Sequence, residues 1–449
     1  MASTAEQLVQ NLNFGAFAKA KELQQRILFT LGALIVYRIG TYIPLPGINP
    51  EEVARLFQNL QGGIGGMVNV FTGGAIERMA IFALNIMPYI SASIIMQLMT
   101  TVSRRLEALK KEGEQGRKQI NQYTRYLTVV LAMVQAFAIA VGLQNAGSVV
   151  ASPGPVFIVS TVVTLTGGTL FLMWLGEQVT SRGIGNGISL IIFAGIIAGL
   201  PGALVRLIDL GRTTDAGLLV VFVFLMAILV ILIVVFFERA QRRLLVQYPK
   251  RQVGNRMMSG ETSHLPLKVN VSGVIPPIFA SSLLLMPMTA ASFSQGATGD
   301  AWWQQGLGFF TTYIQHGQPA FMALYAGLII FFAFFYTAIV FNPQDTAENL
   351  KKYGGFIPGY RPGQRTADYI DYVLTRLTVI GAAYLTFICL LPEFIIAGMP
   401  EIQSFYLGGT SLMIVVTVTM DTVAQLQGHL LAHQYEGLIK KARLRGTRR

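Results

Sequence analysis

Charged residues are scarce in this chain of 449 amino acids. Asp, Glu, Lys and Arg together make up only 12% of it, whereas 53% of its residues are hydrophobic. A soluble domain usually carries about 25% charged residues. The shortage of charge therefore argues against a soluble protein and favours one that lies within a membrane.

The residue types that carry out chemistry are also rare. Cys389 is the sole cysteine, so the chain forms no internal disulfide, and its apolar setting argues against a reactive thiol. His429 and His433 lie four residues apart on the last predicted helix, but no further metal ligands are evident nearby. No phosphate-binding G-x-x-x-x-G-K-[ST] motif occurs. We expect no catalytic residue, no metal site and no cofactor, and predict that the chain is not an enzyme.

Long apolar runs occupy most of the chain instead. A helix needs about 20 apolar residues to cross a bilayer. Backbone in lipid must satisfy its own hydrogen bonds, and these runs lack the alternation of barrel strands, so we expect helices. Ten transmembrane helices are predicted, at about 25–44, 79–101, 126–147, 155–176, 184–205, 217–237, 269–290, 320–341, 377–396 and 408–428.

The positive charges are distributed unevenly between the two sides of this arrangement. Twenty-nine of the 34 Lys and Arg residues fall in segments that the ten helices place on one side. The positive-inside rule assigns that side to the cytoplasm, together with both chain termini.

Ten helices divide into two groups of five, and an odd number per half inverts the second half relative to the first. Inverted halves of this kind are common in transporters. The predicted parts are a cytoplasmic N-terminal segment, an N-terminal half, a C-terminal half and a basic tail, at 1–24, 25–210, 211–430 and 431–449.

Two long connections on the predicted cytoplasmic side, about 239–268 and 342–376, are basic and rich in Gly, Pro and Tyr. They are longer than most connections between packed helices. One interpretation is a docking surface, for which a ribosome or a soluble motor would be suitable. The other is that the charge only sets topology and contacts acidic lipids.

A glycine-rich apolar segment, 62–76, lies between the first two predicted spans and is too short to cross the membrane. It could be a re-entrant half-helix, since non-helical backbone at membrane depth is tolerated where it is buried or lines a cavity. It could equally be an interfacial loop.

Ionisable residues within the predicted spans are few. Arg38 and Asp421 lie in span interiors, and Glu177 and Glu393 lie within spans or at their ends. Such residues usually mark ion pathways, so their scarcity disfavours an ion-coupled transporter, which the inverted halves alone would favour. A membrane enzyme or insertase without a pore is a third hypothesis. The residues by themselves indicate a conduit without its own energy source.

Six sequence motifs point further. They are IFALNIMPYISASIIMQL at 81–98, WLGEQVTSRGIGNGI at 174–188, HLPLKVNVSGVIPPIFASS at 264–282, FFYTAIVFNP at 334–343, GYRPGQRT at 359–366 and GGTSLMIVV at 408–416. Together they resemble the SecY family, the channel subunits of the bacterial protein-conducting translocon. The resemblance runs in order from about residue 20 to 445.

The resemblance implies an all-α integral membrane protein with ten transmembrane helices, in two inverted five-helix halves that form a clamshell around a central pore. Unfolded secretory polypeptides would cross through the pore, and hydrophobic segments would leave laterally into the membrane. The channel would be passive, driven by the SecA motor ATPase or the translating ribosome. Further implied partners are SecE and SecG subunits, secretory and membrane-protein precursors, and acidic lipids. The implied location is the bacterial cytoplasmic (inner) membrane.

The resemblance also implies roles for individual residues. A ring of apolar side chains would seal the pore, formed by Ile86, Ile90, Ile188, Ile192, Ile278 and Ile414. A plug would close it from the outer side, matched by Gly65, Gly66, Met67, Val68, Asn69, Val70 and Phe71. Gln97 and Ser282 match a polar lateral gate, and Arg361 and Arg256 match partner-docking positions. The sequence departs from the family in the second docking loop, where Asn255 precedes Arg256 in place of a second basic residue.

Overall fold

The computed structural model describes residues 21–53, 55, 69–145, 149–213, 217–249, 251–253, 256–258, 262–294, 318–398 and 408–446. Helices dominate these residues, and the strands are confined to one short region. In chain order the elements are α1 (Lys21–Gly40), α2 (Met87–Val102), α3 (Arg104–Lys111), α4 (Glu114–Asn145), α5 (Pro155–Arg182), α6 (Gly187–Thr213), α7 (Gly217–Arg239), β1 (Gln241–Gln247), β2 (Arg251–Val253), β3 (Arg256–Met258), β4 (Thr262–Lys268), α8 (Ile275–Ser294), α9 (Pro319–Val340), α10 (Pro343–Lys352), α11 (Gln364–Gly398) and α12 (Gly409–Gly446).

Helices coincide with all ten predicted spans. Within the part of the chain that the structure describes, seven helices are long and apolar enough to cross a membrane, namely α4, α5, α6, α7, α9, α11 and α12. The other three predicted spans correspond to α1 and to the shorter apolar helices α2 and α8.

Helices α2 and α8 begin six to eight residues later than the apolar runs suggest, at Met87 and Ile275. A turn occupies the start of each run. Before α2 the backbone of Met79 and Asn85 has positive φ, at 41° and 49°, which excludes a helix there. A proline follows the first residue of each helix, where the missing N–H group leaves no hydrogen bond unmade.

The described chain separates into two compact units. Unit 1 comprises Met1–Gly202, Phe293–Gly299 and Val418–Arg449, and unit 2 comprises Ala203–Ser292 and Asp300–Thr417. The predicted division into inverted halves at 210/211 stays a prediction.

The core of unit 1 lies where α4 and α5 pack against the segments on either side of the glycine-rich region. A buried cluster there consists of Leu45, Val53, Met79, Ala83, Leu84, Ala136, Ile139, Leu143, Val149, Val150, Phe157 and Leu165. Isolated bridges pair Pro44 with Ala80 and Ile48 with Val150. Unit 1 therefore holds the non-helical backbone around residues 41–49 and 73–86 in a packed setting rather than in loose loops.

Unit 2 contains the two long basic connections, and they carry more regular structure than the sequence suggests. Strands β1 and β4 pair antiparallel, from Gln241 opposite Lys268 to Gln247 opposite Thr262. A bridge between Gln247 and Phe356 then joins the first connection to the second. Side chains from both pack into one buried cluster of Leu244, Val246, Leu267, Ile357, Ile370 and Leu377. The two connections are thus parts of one folded surface.

Candidate functional site

Ile86 and Ile90 lie at the beginning of α2. Ile86 is the residue that precedes the helix, and its carbonyl oxygen accepts from the amide of Ile90 at 3.0 Å. A spacing of four residues places both on one helix face. Both side chains are buried, with 1% and 7% of their surface exposed. Two of the six predicted ring residues are therefore neighbours in unit 1.

Ile188 and Ile192 lie at the beginning of α6, after a tight turn at 183–186. Side-chain oxygens accept hydrogen bonds from two amides of this turn and from the first amide of α6. Thr30 accepts from Ile184 at 3.1 Å, Gln425 accepts from Gly185 at 2.9 Å, and Thr180 accepts from Gly187 at 2.9 Å. Gly185 has a φ of +86°, which only glycine adopts readily. The turn fixes the direction in which α6 starts.

Ile278 and Ile414 belong to unit 2. Ile278 lies in the first turn of α8 and is half-buried, whereas Ile414 in α12 is 1% exposed. Helix α12 approaches α11 closely at its start, because Gly409 leaves room for the carbonyl oxygen of Ile388. The structure thus places four predicted ring residues in one unit and two in the other, and the ring itself stays a prediction.

The predicted plug is described from Asn69 onward, and Gly65, Gly66, Met67 and Val68 lie outside the described residues. Asn69–Thr72 form one helical turn, followed by Gly73 and Gly74 with φ of +64° and +83°. Phe71 and Thr72 are buried, at 4% and 1% exposure. The end of the segment is thus enclosed by protein.

Side chains from elsewhere in unit 1 hold this end of the segment. The side-chain Nδ2 of Asn85 donates to the carbonyl oxygen of Phe71 at 2.7 Å, and Arg38 Nη1 donates to the carbonyl oxygen of Gly73 at 2.7 Å. The Tyr37 hydroxyl donates to the carbonyl oxygen of Thr72 at 3.3 Å. No sequence motif predicts these contacts. The cation in the first span was the only signal that could have suggested one of them.

The two predicted gate residues differ in how their polar groups are satisfied. Gln97 in α2 is half-buried, and its side-chain oxygen is buried without a hydrogen-bond partner among the described residues. Ser282 in α8 is 4% exposed, and its hydroxyl donates to the carbonyl oxygen of Ile278 at 2.7 Å. Burying an acceptor without a hydrogen bond costs free energy, so a donor that reached the Gln97 oxygen would stabilise the protein.

Arg361 is exposed at the tip of a rigid turn before α11. Gly359 and Gly363 have φ of +87° and +109°, and the Thr366 hydroxyl donates to the carbonyl oxygen of Arg361 at 3.0 Å. The rings of Tyr360 and Tyr369 stack with centroids 4.0 Å apart. These contacts hold the turn that carries the exposed Arg361. Arg256 lies in β3, opposite Val253.

The residues for which the structure gives positions contain no group of three or more His, Cys, Asp or Glu side chains that could hold a metal ion. Cys389 is buried in α11, and the hydroxyl of Thr410 lies 3.7 Å from its sulfur.

Comparison with known proteins identifies the family. The SecY family model matches residues 80–423. The protein translocase subunit SecY of Escherichia coli (strain K12) is 55% identical over 431 residues, covering 95% of this chain and 96% of its own. The SecY subunit of Pseudomonas aeruginosa is 55% identical over 428 residues and covers 95% of both chains. The chain belongs to the SecY family.

Solved channels share its fold. The structure titled "The structure of a protein conducting channel" matches with a TM-score of 0.59 at 18% identity, covering 90% of this chain and 92% of that one. A yeast Ssh1 complex bound to the 80S ribosome matches with a TM-score of 0.61 at 16% identity, over 92% and 89% of the two chains. A third match, with a TM-score of 0.60 at 18% identity over 90% and 92%, carries a title on a SecY plug domain that stabilises the closed state.

Membership of the SecY family confirms the predicted fold class and function. The chain is an all-α, multi-pass membrane protein and a channel subunit of a protein translocase. It acts without enzymatic chemistry of its own. The hypotheses of an ion-coupled transporter and of a membrane enzyme do not fit this family.

Proposed function

We propose that this chain forms a pore through which unfolded secretory polypeptides cross the bacterial cytoplasmic membrane. The burial of ring isoleucines at helix starts carries the proposal. Ile86, Ile90, Ile192 and Ile414 are all nearly inaccessible, and they hold apolar branched side chains where helices begin. An apolar constriction excludes water and ions, yet flexible side chains yield to a passing polypeptide.

The plug proposal rests on the end of the glycine-rich segment. Residues 65–71 would close the resting pore from the outer side. A solved SecY channel is described as having a plug domain that stabilises its closed state and maintains a membrane seal. The burial of Phe71 and Thr72 within unit 1 supports a segment that enters the protein interior, as opposed to an interfacial loop.

Gln97 in α2 and Ser282 in α8 would be polar residues of a lateral gate. Polar pairs across membrane helices contribute only about 0.6 kcal/mol on average, so such a contact makes a weak latch. A weak latch suits a gate that an incoming hydrophobic segment must open. Among the residues that the structure describes, the side-chain oxygen of Gln97 has no hydrogen-bond partner and offers a free acceptor for such a contact.

Energy would come from partners that dock on the basic surface of unit 2. SecA or the translating ribosome would bind at Arg361 and Arg256, with SecE and SecG completing the complex. Two proteins of similar fold are described in complexes with ribosomes, namely Sec61 in a canine ribosome–channel complex and the yeast Ssh1 complex on the 80S ribosome. Acidic lipids would contact the remaining cytoplasmic cations. The positive-inside distribution supports the inner membrane with both termini in the cytoplasm.

Reconstitution tests this proposal. Vesicles containing the chain, its SecE-like subunit and SecA should import a secretory precursor when ATP is supplied. A probe at residue 86 or 278 should crosslink to a precursor trapped in transit. Crosslinks from lipid-facing positions of α7 only, with none from these two residues, would contradict a central pore.

A further inference from the structure

Asn270 lies in the turn of unit 2 that leads into α8, and its side-chain amide makes three hydrogen bonds. Its Nδ2 donates to Glu238 Oε1 at 2.6 Å and to the carbonyl oxygen of Gly273 at 3.1 Å. Its Oδ1 accepts from the Ser272 hydroxyl at 3.1 Å. Glu238, Asn270 and Ser272 are buried, at 8%, 3% and 5% exposure, and we call them the Asn270 cluster. A buried network whose amide is fully bonded holds its members in one arrangement.

The Asn270 cluster joins the end of α7 to the beginning of α8. Glu238 belongs to the last turn of α7, whereas Asn270 and Ser272 follow strand β4. The amide of Val269 donates to the carbonyl oxygen of Ala240 at 3.0 Å, so the β1–β4 ladder continues up to this point. The cluster therefore lies where the cytoplasmic strands meet the two helices.

Helix α11 supports both sides of this junction. A Cβ added at Gly381 would lie 2.9 Å from the carbonyl oxygen of Val269, so α11 packs directly on the backbone of the turn. The ring of Phe237, next to Glu238, stacks on Tyr384 of α11 with centroids 4.4 Å apart. A third helix thus fixes the frame in which the Asn270 cluster sits.

The first turn of α8 lacks the usual means of fastening a helix start. A capping side chain normally accepts from the amide of the second or third helical residue. In α8 these residues are Pro276 and Pro277, which have no amide hydrogen, and the preceding Val274 has no side-chain acceptor. The amide of Ile278 reaches the carbonyl oxygen of Val274 at 3.4 Å. The turn before the helix must therefore supply the restraint that a cap does not.

Ile278 lies within this first turn and inherits its direction. Its carbonyl oxygen accepts from the hydroxyls of Ser281 and Ser282, at 3.0 and 2.7 Å. Residue 273, which accepts from Asn270, has a φ of +62° and ends the turn one residue before Val274. A shift of the turn would consequently move Ile278 and Ser282 together.

We propose that Glu238 and Asn270 are positioning residues that set the beginning of α8 and thereby hold Ile278 in the closed seal of the resting channel. The inference rests on the proposed role of Ile278 in the pore ring and adds what keeps that residue in place. Both positioning residues are buried, so they act through the helix that they hold.

The resting ion conductance of the reconstituted channel tests the proposal. The chain is purified with its SecE-like subunit and recorded in planar bilayers without precursor or SecA. Asn270→Ala and Glu238→Ala should each raise the resting open probability by about tenfold, equivalent to about 1.4 kcal/mol. Wild-type conductance in both variants would overturn the proposal.

Two further variants test whether the two residues act through their shared hydrogen bond. Glu238→Gln retains an oxygen that accepts from Asn270 and should keep the conductance close to that of the wild type. The double variant Glu238→Ala/Asn270→Ala should be no leakier than the leakier single variant, because residues that share a bond are not additive. An increase equal to the product of the two single effects would show independent action and would overturn the proposal.

Ser272→Ala is a milder change for the case in which the alanine variants fail to co-purify with the SecE-like subunit. It removes one hydroxyl and leaves the bond between Asn270 and Glu238 in place. Loss of one buried hydrogen bond should raise the resting open probability by about threefold. An unchanged open probability in the assembled channel would count against the Asn270 cluster.

Leu244→Ala is the control for a general loss of stability in unit 2. Leu244 is buried in a cluster that, within the described chain, includes no residue of α8. The variant should lower the unfolding temperature without raising the resting conductance. A conductance as high as that of Asn270→Ala would mean that any destabilisation of unit 2 opens the channel, which would overturn the proposal.

Precursor transport separates this inference from the proposed function. Failure of the unmodified chain to transport a precursor with SecA and ATP would contradict the proposed function. Normal transport by the unmodified chain, with wild-type conductance in the Asn270 and Glu238 variants, would contradict the positioning role alone.

Discussion

Among the six ring isoleucines, Ile278 offers the cleanest test at the scale of single residues. It is half-buried in the first turn of α8, so a polar substitute is not forced into a packed interior. Ile278→Asn should hydrate the apolar constriction and make the resting channel conduct ions, because a dewetted gate depends on apolar side chains. Single-channel recording of the reconstituted translocon measures this directly.

The control for that substitution is Ile278→Val, which preserves the branched apolar character and should leave the resting conductance close to that of the wild type. Equal conductance of the Asn and Val variants would mean that residue 278 does not contribute to the seal.

Glycine 195 provides a second test at this scale, since its environment differs sharply from that of Gly199 one helical turn further along α6. A Cβ at residue 195 would lie 2.7 Å from the backbone carbonyl oxygen of Phe71, whereas nothing lies within 4 Å of a Cβ at residue 199. Gly195→Ala should destabilise unit 1 by about 1–3 kcal/mol through overpacking. Gly199→Ala should be neutral or stabilise the helix by up to about 1 kcal/mol.

Thermal unfolding in detergent, followed for both glycine variants under the same conditions, gives the comparison. An unfolding temperature for Gly195→Ala at or above that of Gly199→Ala would show that the close approach of α6 to the backbone of Phe71 and Gly73 is not needed for stability.

At the scale of elements, α2 and α8 share a design that the apolar runs do not reveal. In each a proline follows the first residue, after a turn, and each carries a predicted ring isoleucine in its first turn. One belongs to unit 1, and α8 lies almost wholly in unit 2. Because both helices begin later than the apolar runs, Ile86 and Ile278 lie at helix ends. The predicted pore ring includes both residues.

The β1–β4 ladder is the second element with a testable role. Leu244 and Leu245 are neighbours on β1, but they point to opposite faces and are 4% and 39% exposed. Leu244→Ala should destabilise the folded cytoplasmic surface by about 2–5 kcal/mol, because it leaves a cavity against α11. Leu245→Ala should cost much less.

Limited trypsin digestion measures this difference, since the basic connection carries cleavage sites at Arg242 and Arg243. Faster cleavage in Leu244→Ala than in Leu245→Ala is expected. The same cleavage rate in both variants would argue that the strand pair is not stabilised by packing against the second connection.

At the scale of the whole molecule, the proposed function assigns the energy for transport to partners that dock at Arg361. Arg361→Glu should therefore reduce SecA-driven or ribosome-driven transport by tenfold or more, an effect of about 1.4 kcal/mol or greater for a reversed charge at a docking contact. Arg361 is exposed and its turn is held by backbone and tyrosine contacts, so membrane assembly should be unaffected.

Arg365→Glu is the matched control for this prediction, since Arg365 is also exposed and lies four residues away. Co-purification of a SecE-like subunit reports assembly in both variants. If Arg361→Glu lowers co-purification as much as transport, the residue has a structural role instead of a docking role.

The sequence by itself determined the class of protein and the number of spans. The length of an apolar run and the distribution of Lys and Arg between loops depend only on local composition, so they can be read without knowing any tertiary contact. The motifs determined the family for the same reason, since each is a contiguous stretch such as GYRPGQRT.

Only the tertiary structure decided how distant segments hold one another. The two basic connections became one surface through a ladder that pairs residue 241 with residue 268 and a bridge to Phe356. The guanidinium of Arg38 donates to the carbonyl oxygen of Gly73, 35 residues away. Hydrogen bonds to backbone carbonyls leave no mark in sequence, because every residue has such a carbonyl and only geometry selects the one that is bound.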